Sequence, residues 1–197
     1  MKFFLVAVIA YLLGSFCASI PLSKRFYGGD VRSFGSGNAG ATNMARVFGI
    51  KAGLVTLFLD MLKTVAAMLI GAYLCGKTGE ALAGAFCIIG HCFPLYFSFR
   101  GGKGVSVGAA LGLMSGFSVF LSAIVVFFIA ALCSRRVSPG SILAAATLPI
   151  ASFVFGIDEA LIIMNLFSGI LVIFMHRSNI KRLLEGTESE FKPKKIK

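Results

Sequence analysis

Three clusters of residues carry the chemistry that this chain can do. The first is Gly35-Ser36-Gly37-Asn38-Ala39-Gly40-Ala41-Thr42-Asn43, a run with no large apolar side chain in a sequence that is 57% hydrophobic. Glycines with small hydroxyl and amide side chains cannot build a core. They can line a polar pocket and leave backbone N–H groups free to approach a ligand. Arg32 precedes the run and Arg46 follows it. A donor-rich loop between two guanidiniums suits a small anion, most directly a phosphate ester. The second cluster, Arg100-Gly101-Gly102-Lys103-Gly104, is another set of glycine N–H groups beside cations. It reads either as a second anion clamp or as a basic membrane-flanking loop, and a snorkelling anchor has no need of three glycines. The third is His176-Arg177-Ser178-Asn179, where His176 and Asn179 stand one helical turn apart and can face one site.

Several familiar chemistries fail at the level of the residues. Gly35-Ser36-Gly37-Asn38-Ala39-Gly40 matches G-x-G-x-x-G, with Asp60 downstream, but Asp30-Val31-Arg32-Ser33-Phe34 is too polar and short to be the buried strand that a dinucleotide fold requires. Arg100 to Gly104 is no P-loop, because Gly104 replaces the Ser/Thr that holds magnesium and Phe97 stands at the first glycine. His91 and Cys92 are adjacent and point different ways on a helix, so no metal site and no cofactor is implied. No Ser-His-Asp set and no H-x₄-D pair can be assigned. His91 and His176, the only histidines, read as satisfied polar residues or as bases.

The elements that must position these clusters are apolar. The chain has 197 residues, a mean hydropathy of +0.91 and 14% charged residues, where a soluble domain carries about 25%. Continuous apolar runs, without strand-like alternation, imply an all-α polytopic membrane protein forming one domain over 1–197. The five cysteines are odd in number, lack a C-x-x-C and sit in apolar runs, which reads as reduced, buried thiols. The net charge of +11 gathers in short segments between the runs. That is the positive-inside bias of membrane proteins and argues against nucleic acid as a partner.

Parity sets the topology. Phe3 to about Ile20 is a first span with no A-x-A cleavage site after it. About Ala52 to Cys75 is a second, followed by an outer turn, Gly76 to Glu80. Its Asp60 and Lys63 share a helix face; they form an internal ion bridge, or Lys63 lends its ammonium to the anion site. About Ala81 to Phe99 returns, interrupted at Pro94. Val105 to Cys133, about 29 residues or roughly 43 Å as a single helix, is too long for one span. A break at Ser115-Gly116-Phe117-Ser118 gives a short helix out and a second helix back. Val137 to Phe155 and Ala160 to Met175 complete seven transmembrane or half-spanning helices, with the N-terminus periplasmic or extracellular and the C-terminus cytoplasmic. Of 19 Lys and Arg, only Lys2 and Lys77 then fall outside and Lys63 within the membrane. Gly186 reads as a helix stop, and Thr187 to Lys197 as a solvated tail.

Taken together, Gly35 to Asn43 with Arg46, Gly90-His91-Cys92-Phe93-Pro94 leading into Phe99 to Val105, and His176 to Ile180 with Arg182 and Gly186 closely resemble the bacterial acyl-phosphate:glycerol-3-phosphate acyltransferases. Leu59-Asp60-Met61-Leu62-Lys63 fits as well, although Thr64 stands where that family has glycine. The resemblance spans nearly the whole chain. It implies a multi-pass enzyme of the bacterial inner membrane with its active site toward the cytoplasm. The substrates implied are a fatty acyl phosphate and glycerol 3-phosphate, the product lysophosphatidate. The implied partners are membrane lipid and the soluble enzyme that makes acyl phosphate. It further implies Ser36, Arg46, Lys103, His176 and Asn179 as catalytic residues. Gly37, Asn38, Thr42, Asn43, Lys63, His91, Gly101, Gly102 and Gly104 would bind substrate. Within it, Lys103 and its loop would hold the acyl phosphate and the first loop glycerol 3-phosphate. A carrier for a phosphorylated solute is the rival reading, but no pair of broken helices stands in matching halves of the chain.

Overall fold

A computed structural model describes residues 1–192. Among them are nine α-helices and no strand: α1 Lys2–Ser15, α2 Ser19–Tyr27, α3 Ala41–Phe48, α4 Ile50–Cys92, α5 Val105–Ser115, α6 Phe117–Ser134, α7 Val137–Val154, α8 Glu159–Met175 and α9 Arg177–Leu184. α4 is two limbs, because Cys75 and Gly76 leave helical geometry. With α4 counted as two, α1 and α4 to α8 supply the seven apolar elements expected. Four helical stretches are long and apolar enough to cross a membrane, or five if α8 and α9, bent by 54°, count as one; α5 is a shorter apolar helix. Large apolar side chains such as Tyr73, Phe128, Leu132 and Phe153 lie on the outer surface, as expected where the surrounding solvent is hydrocarbon.

The boundaries differ from the sequence reading in four places, each for a physical reason. Within the first span, which runs Lys2–Tyr27, the helix breaks after Ser15, where the carbonyls of Gly14 and Phe16 face the Lys63 ammonium at 3.0 and 2.7 Å. The expected turn at residues 76–80 shrinks to Cys75 and Gly76. Lys77 and Glu80 already pair one turn into the returning limb at 2.9 Å. That limb stops at Cys92, two residues before Pro94, whose ring cannot continue it. Residues 187–192 are not a free tail. The Phe191 N–H bonds the Arg135 carbonyl at 3.1 Å, and Glu188 is buried. Residues 193–197 of the expected tail lie outside the described range. The breaks at Gly116 and Gly186 fall as read, both glycines having positive φ.

Close helix contact sets where the loops emerge. α1 packs along the second limb of α4 at backbone distance: a Cβ at Gly90 would strike the Tyr11 carbonyl and lie 2.9 Å from the Ser15 nitrogen. The Tyr11 hydroxyl donates to the Phe93 carbonyl at 2.9 Å. Gly53 plays the same part beneath α3, with Ala45 against it. Met68, Ile88, Leu111, Leu161, Met164 and Val172 fill the centre, between α4, α5 and α8. Near the opposite end Asn165 donates to Ser115 at 2.8 Å and Ser152 at 2.9 Å, tying α5, α7 and α8 where backbone groups have no water. Gly90→Val should therefore overpack the α1–α4 seam by about 1–3 kcal/mol. Thermal unfolding in detergent would show a clear drop in Tm; an unchanged Tm would mean that the seam is looser than described.

Candidate active site

The three clusters converge at one end of the bundle, around a cavity of about 570 Å³. Ser36, Asn38, Thr42, Asn43 and Arg46 reach it from the first loop and α3, Lys103 from the second loop, and His176 and Asn179 from the start of α9. His91 lines it from the end of α4. The N-termini of α3 and α5 also open here, through Ala41, Thr42, Val105 and Ser106. Their first N–H groups have no intrahelical partner and carry the positive end of the helix dipole, so they add to an anion site.

Asn43 builds the first loop. Its side-chain amide donates to the carbonyls of Val31, Phe34 and Asn38 at 3.0–3.1 Å, while its Oδ1 accepts the Ser36 N–H at 2.9 Å. Gly35 must be glycine here: its φ is +57°, and a Cβ would run into Asn43 Oδ1. Asn43 is thus occupied with the backbone, and the groups it leaves free to meet a ligand are those of Ser36, Asn38, Thr42 and Arg46. Arg32 is no anion ligand either. It pairs with Asp30 at 2.8 Å and donates to the carbonyls of Phe97 and Arg100 at 2.8 and 3.2 Å. That arrangement clips the first loop to the second and holds the Asp30 carboxyl down at about 2.

The second loop is tied down rather than open. The Gly101 N–H donates to the Cys92 carbonyl at 3.3 Å, and the Gly102 N–H to the His91 carbonyl at 3.1 Å. These glycines let the chain lie flat on the end of α4, since a Cβ on Gly102 would collide with the His91 ring. Gly37, Gly101, Gly102 and Gly104 do not line the cavity. The expectation that their N–H groups bind substrate gives way, for Gly101 and Gly102, to a supporting role: they present Lys103. Its Nζ donates to Asn179 Oδ1 at 2.5 Å. Burial, then the nearby Arg182, push the Lys103 pKa down to about 8, with Glu188 opposing.

Lys63 lies outside the cavity. Its Nζ has Phe16 O, Gly14 O, Asp60 Oδ1 and His91 Nδ1 all within 3.0 Å, and Asp60 is fully buried. The internal ion bridge is therefore the reading that the geometry supports, and the substrate-binding expectation for Lys63 is corrected: four partners already surround the ammonium. An ammonium only donates, so His91 Nδ1 accepts and the ring proton sits on Nε2, against Gly102. His176 lies just past the end of α8. Its Nδ1 donates to the Val172 carbonyl at 2.7 Å, which leaves Nε2 as an acceptor. Burial lowers its pKa to about 4, so the ring is neutral near pH 7.

The sequence reading did not assign Ser106, Ser138, Ser141, Glu188, Ser189, Glu190 or Lys192, all at the cavity wall, nor a role for Arg182 there. Isolated serines inside apolar helices and charges in an apparent tail give no local signal. An apolar groove of about 620 Å³ adjoins the cavity, lined by Ile50, Leu54, Leu57, Phe127, Phe128 and Leu132, with Phe191 of the C-terminal segment. Ala41, Thr42, Leu57, Phe127, Val137 and Glu190 border both spaces.

A cation-lined cavity bordered by an apolar groove, at one end of a bundle of apolar helices, defines the class as an integral membrane protein with a polar site at the bundle's end. A family model for glycerol-3-phosphate acyltransferase matches residues 4–186. A glycerol-3-phosphate acyltransferase of Thermoanaerobacter pseudethanolicus is 41% identical over 186 residues, 94% of each chain. One of Listeria monocytogenes is 40% identical over 191 residues, 95% of this chain and 96% of that one. The crystal structure of PlsY (YgiH), an integral membrane glycerol 3-phosphate acyltransferase, in its glycerol 3-phosphate form superimposes with a TM-score of 0.91 at 36% identity, covering 98% of this chain and 96% of that one. The chain belongs to the glycerol-3-phosphate acyltransferase family.

Removing one member of the Asp60–Lys63 pair leaves the other charge buried alone. Lys63→Met should cost about 3–5 kcal/mol, and adding Asp60→Asn should recover part of it. Denaturation of both variants in detergent checks this. A double variant no more stable than Lys63→Met would mean that Asp60 is not the partner that matters.

Proposed function

We propose that the protein transfers a fatty acyl group from an acyl phosphate to the 1-hydroxyl of sn-glycerol 3-phosphate, releasing phosphate and 1-acylglycerol 3-phosphate. One observation carries this reading: the cavity holding Arg46, Lys103 and Arg182 shares a wall, through Ala41, Thr42, Leu57, Phe127 and Val137, with an apolar groove. A fatty acyl phosphate needs both. Its chain fits along Leu54, Leu57, Phe127 and Phe128, and its phosphate then falls among the cations. The solved relative PlsY is described in glycerol 3-phosphate and lysophosphatidic acid forms, the acceptor and product of this reaction.

An acyl phosphate is a mixed anhydride and needs no further activation. The glycerol 1-hydroxyl attacks the acyl carbon, the carbon–oxygen bond to phosphate breaks, and the hydroxyl proton leaves with the departing phosphate, which becomes more basic as that bond opens. His176, with a pKa near 4, is too weak a base to keep the proton, and Lys103 is already protonated at neutral pH. What the protein adds is placement. Two anions that repel each other are held and oriented, and charge on the carbonyl oxygen is stabilised by fixed donors. Lys103 serves the donor phosphate. Ser36, Asn38, Thr42 and Arg46 serve glycerol 3-phosphate or the oxyanion, and His176 Nε2 accepts from an acceptor hydroxyl.

In this reading the whole chain is one acyltransferase domain in the bacterial inner membrane. Its basic end faces the cytoplasm, by the positive-inside bias, where a soluble enzyme supplies acyl phosphate. Purified protein in detergent should convert palmitoyl phosphate and labelled glycerol 3-phosphate to labelled lysolipid, and should not use palmitoyl-CoA. Lys103→Ala should abolish transfer in protein that still inserts. Turnover with acyl-CoA alone, or none in detergent but uptake into sealed vesicles, would overturn the assignment.

A further inference from the structure

The cavity is built to hold anions, yet a carboxylate of the protein sits inside its wall. Glu188 comes from the segment after α9 and is 7% exposed. One carboxylate oxygen accepts from the Asn179 amide at 2.6 Å and from the Ser138 hydroxyl; the other accepts from Arg182 Nε at 2.6 Å. The backbone on both sides is fastened. Arg136 Nε donates to the Glu188 carbonyl at 2.8 Å, and the Glu188 N–H donates to the Arg182 carbonyl at 3.1 Å. Every donor that reaches this carboxylate is thus a side chain of the protein.

The consequence runs through Asn179. Its amide nitrogen donates to Glu188 and to Ser138, the latter at 2.8 Å, so the amide can point only one way. Its oxygen then faces Lys103, whose Nζ it accepts at 2.5 Å. A neutral amide at position 188 offers one acceptor oxygen where the carboxylate offers two, so an N–H would face either Asn179 or Arg182. The Asn179 amide would lose its fixed direction and could present N–H groups to an ammonium, which cannot accept them. Arg182 would also be released as an unpaired cation beside Lys103, where like charges are costly.

We propose that Glu188 is a positioning residue for acyl transfer: it sets the direction of the Asn179 amide, holds Arg182 aside, and so keeps Lys103 in place and cationic. This inference rests on the acyl-transfer reading for its turnover test. The groups facing Lys103 from neighbouring elements are Arg46, His176, Arg182 and Glu188, with Glu190 and Lys192 farther along the cavity wall. Among the four nearest, Glu188 is the one carboxylate. Its field opposes the fall of the Lys103 pKa to about 8. Its own pKa is held below the usual carboxylate range, burial being outweighed by hydrogen bonds from Ser138, Asn179 and Arg182. Glu188 is therefore ionised throughout the pH range in which Lys103 titrates.

The test is the pH profile of Glu188→Gln in the full-length protein, read in two ways: as kcat/KM with palmitoyl phosphate and glycerol 3-phosphate, and as glycerol 3-phosphate affinity by calorimetry. Activity should be lost as pH rises through about 8 in the wild type. In Glu188→Gln the alkaline limb should move down by about one unit. At neutral pH kcat should fall roughly 10- to 100-fold. Glu188→Asp, which keeps the charge, should restore the limb. Should Glu188→Gln fail to assemble, Arg182→Gln carries the test with the opposite sign, its limb moving up. An unmoved limb with near-normal kcat overturns the proposal. So does a lower KM for glycerol 3-phosphate at unchanged kcat, which would mean that the carboxylate occupies the place of a substrate phosphate. If the wild type makes no lysolipid, the acyl-transfer reading fails, and the affinity profiles still decide the role of Glu188.

Discussion

Holding Arg46, Lys103 and Arg182 around one cavity is the constraint on which the structure turns. Like charges brought together away from bulk water repel strongly, and Lys103 registers its burial first and the neighbouring Arg182 and Arg46 after it in a pKa lowered to about 8. Two features offset it: the Asn179 oxygen at 2.5 Å and the Glu188 carboxylate on Arg182. What repulsion remains favours anionic ligands. A site strained toward anions can bring together two phosphorylated reactants that would otherwise avoid each other, and acyl transfer from a mixed anhydride needs little more than that meeting.

Such a site has to be stiff, and its rigidity comes from polar groups that never reach the cavity. Arg32 joins the first loop to the second. Asn43 holds the first loop to itself with both ends of its amide, and the carbonyls of His91 and Cys92 hold the second. Beneath them Lys63 draws in the end of α1 and the His91 ring together with Asp60. Ionisable groups inside a span are costly and need partners; here the partners are the elements that frame the loops. The glycines serve the same end. Gly14, Gly53 and Gly90 allow helices to meet at backbone distance, so the loops emerge at fixed places.

Much of this was legible in the sequence, and the parts that were not share a cause. Hydropathy and charge parity gave the seven apolar elements, including the unusual break at Gly116, because apolar length is a local property. The motif residues Ser36, Asn38, Thr42, Arg46, Lys103, His176 and Asn179 do line one cavity. The sequence places Arg32 beside an anion-suited loop, leaves Lys63 between an ion bridge and a ligand, and gives the glycines of the second loop as ligands, since composition reports donors without saying which acceptors take them. Only the tertiary structure shows that Arg32 is spent on Asp30 and two carbonyls, or that Lys63 has four partners within 3.0 Å. Glu188 was invisible for the converse reason. A charged stretch after a helix stop looks solvated, and the pocket that buries this residue is assembled from α7 and α9, far from it in the chain or facing back on it.

The central claim is that one cavity holds both reactants at once and that the acyl group passes directly between them. Initial rates measured while both palmitoyl phosphate and glycerol 3-phosphate are varied test this most directly. The account predicts intersecting double-reciprocal lines, with phosphate released only when glycerol 3-phosphate is present. Parallel lines, together with a burst of phosphate in its absence, would mean that the protein takes up the acyl group covalently, and would contradict it.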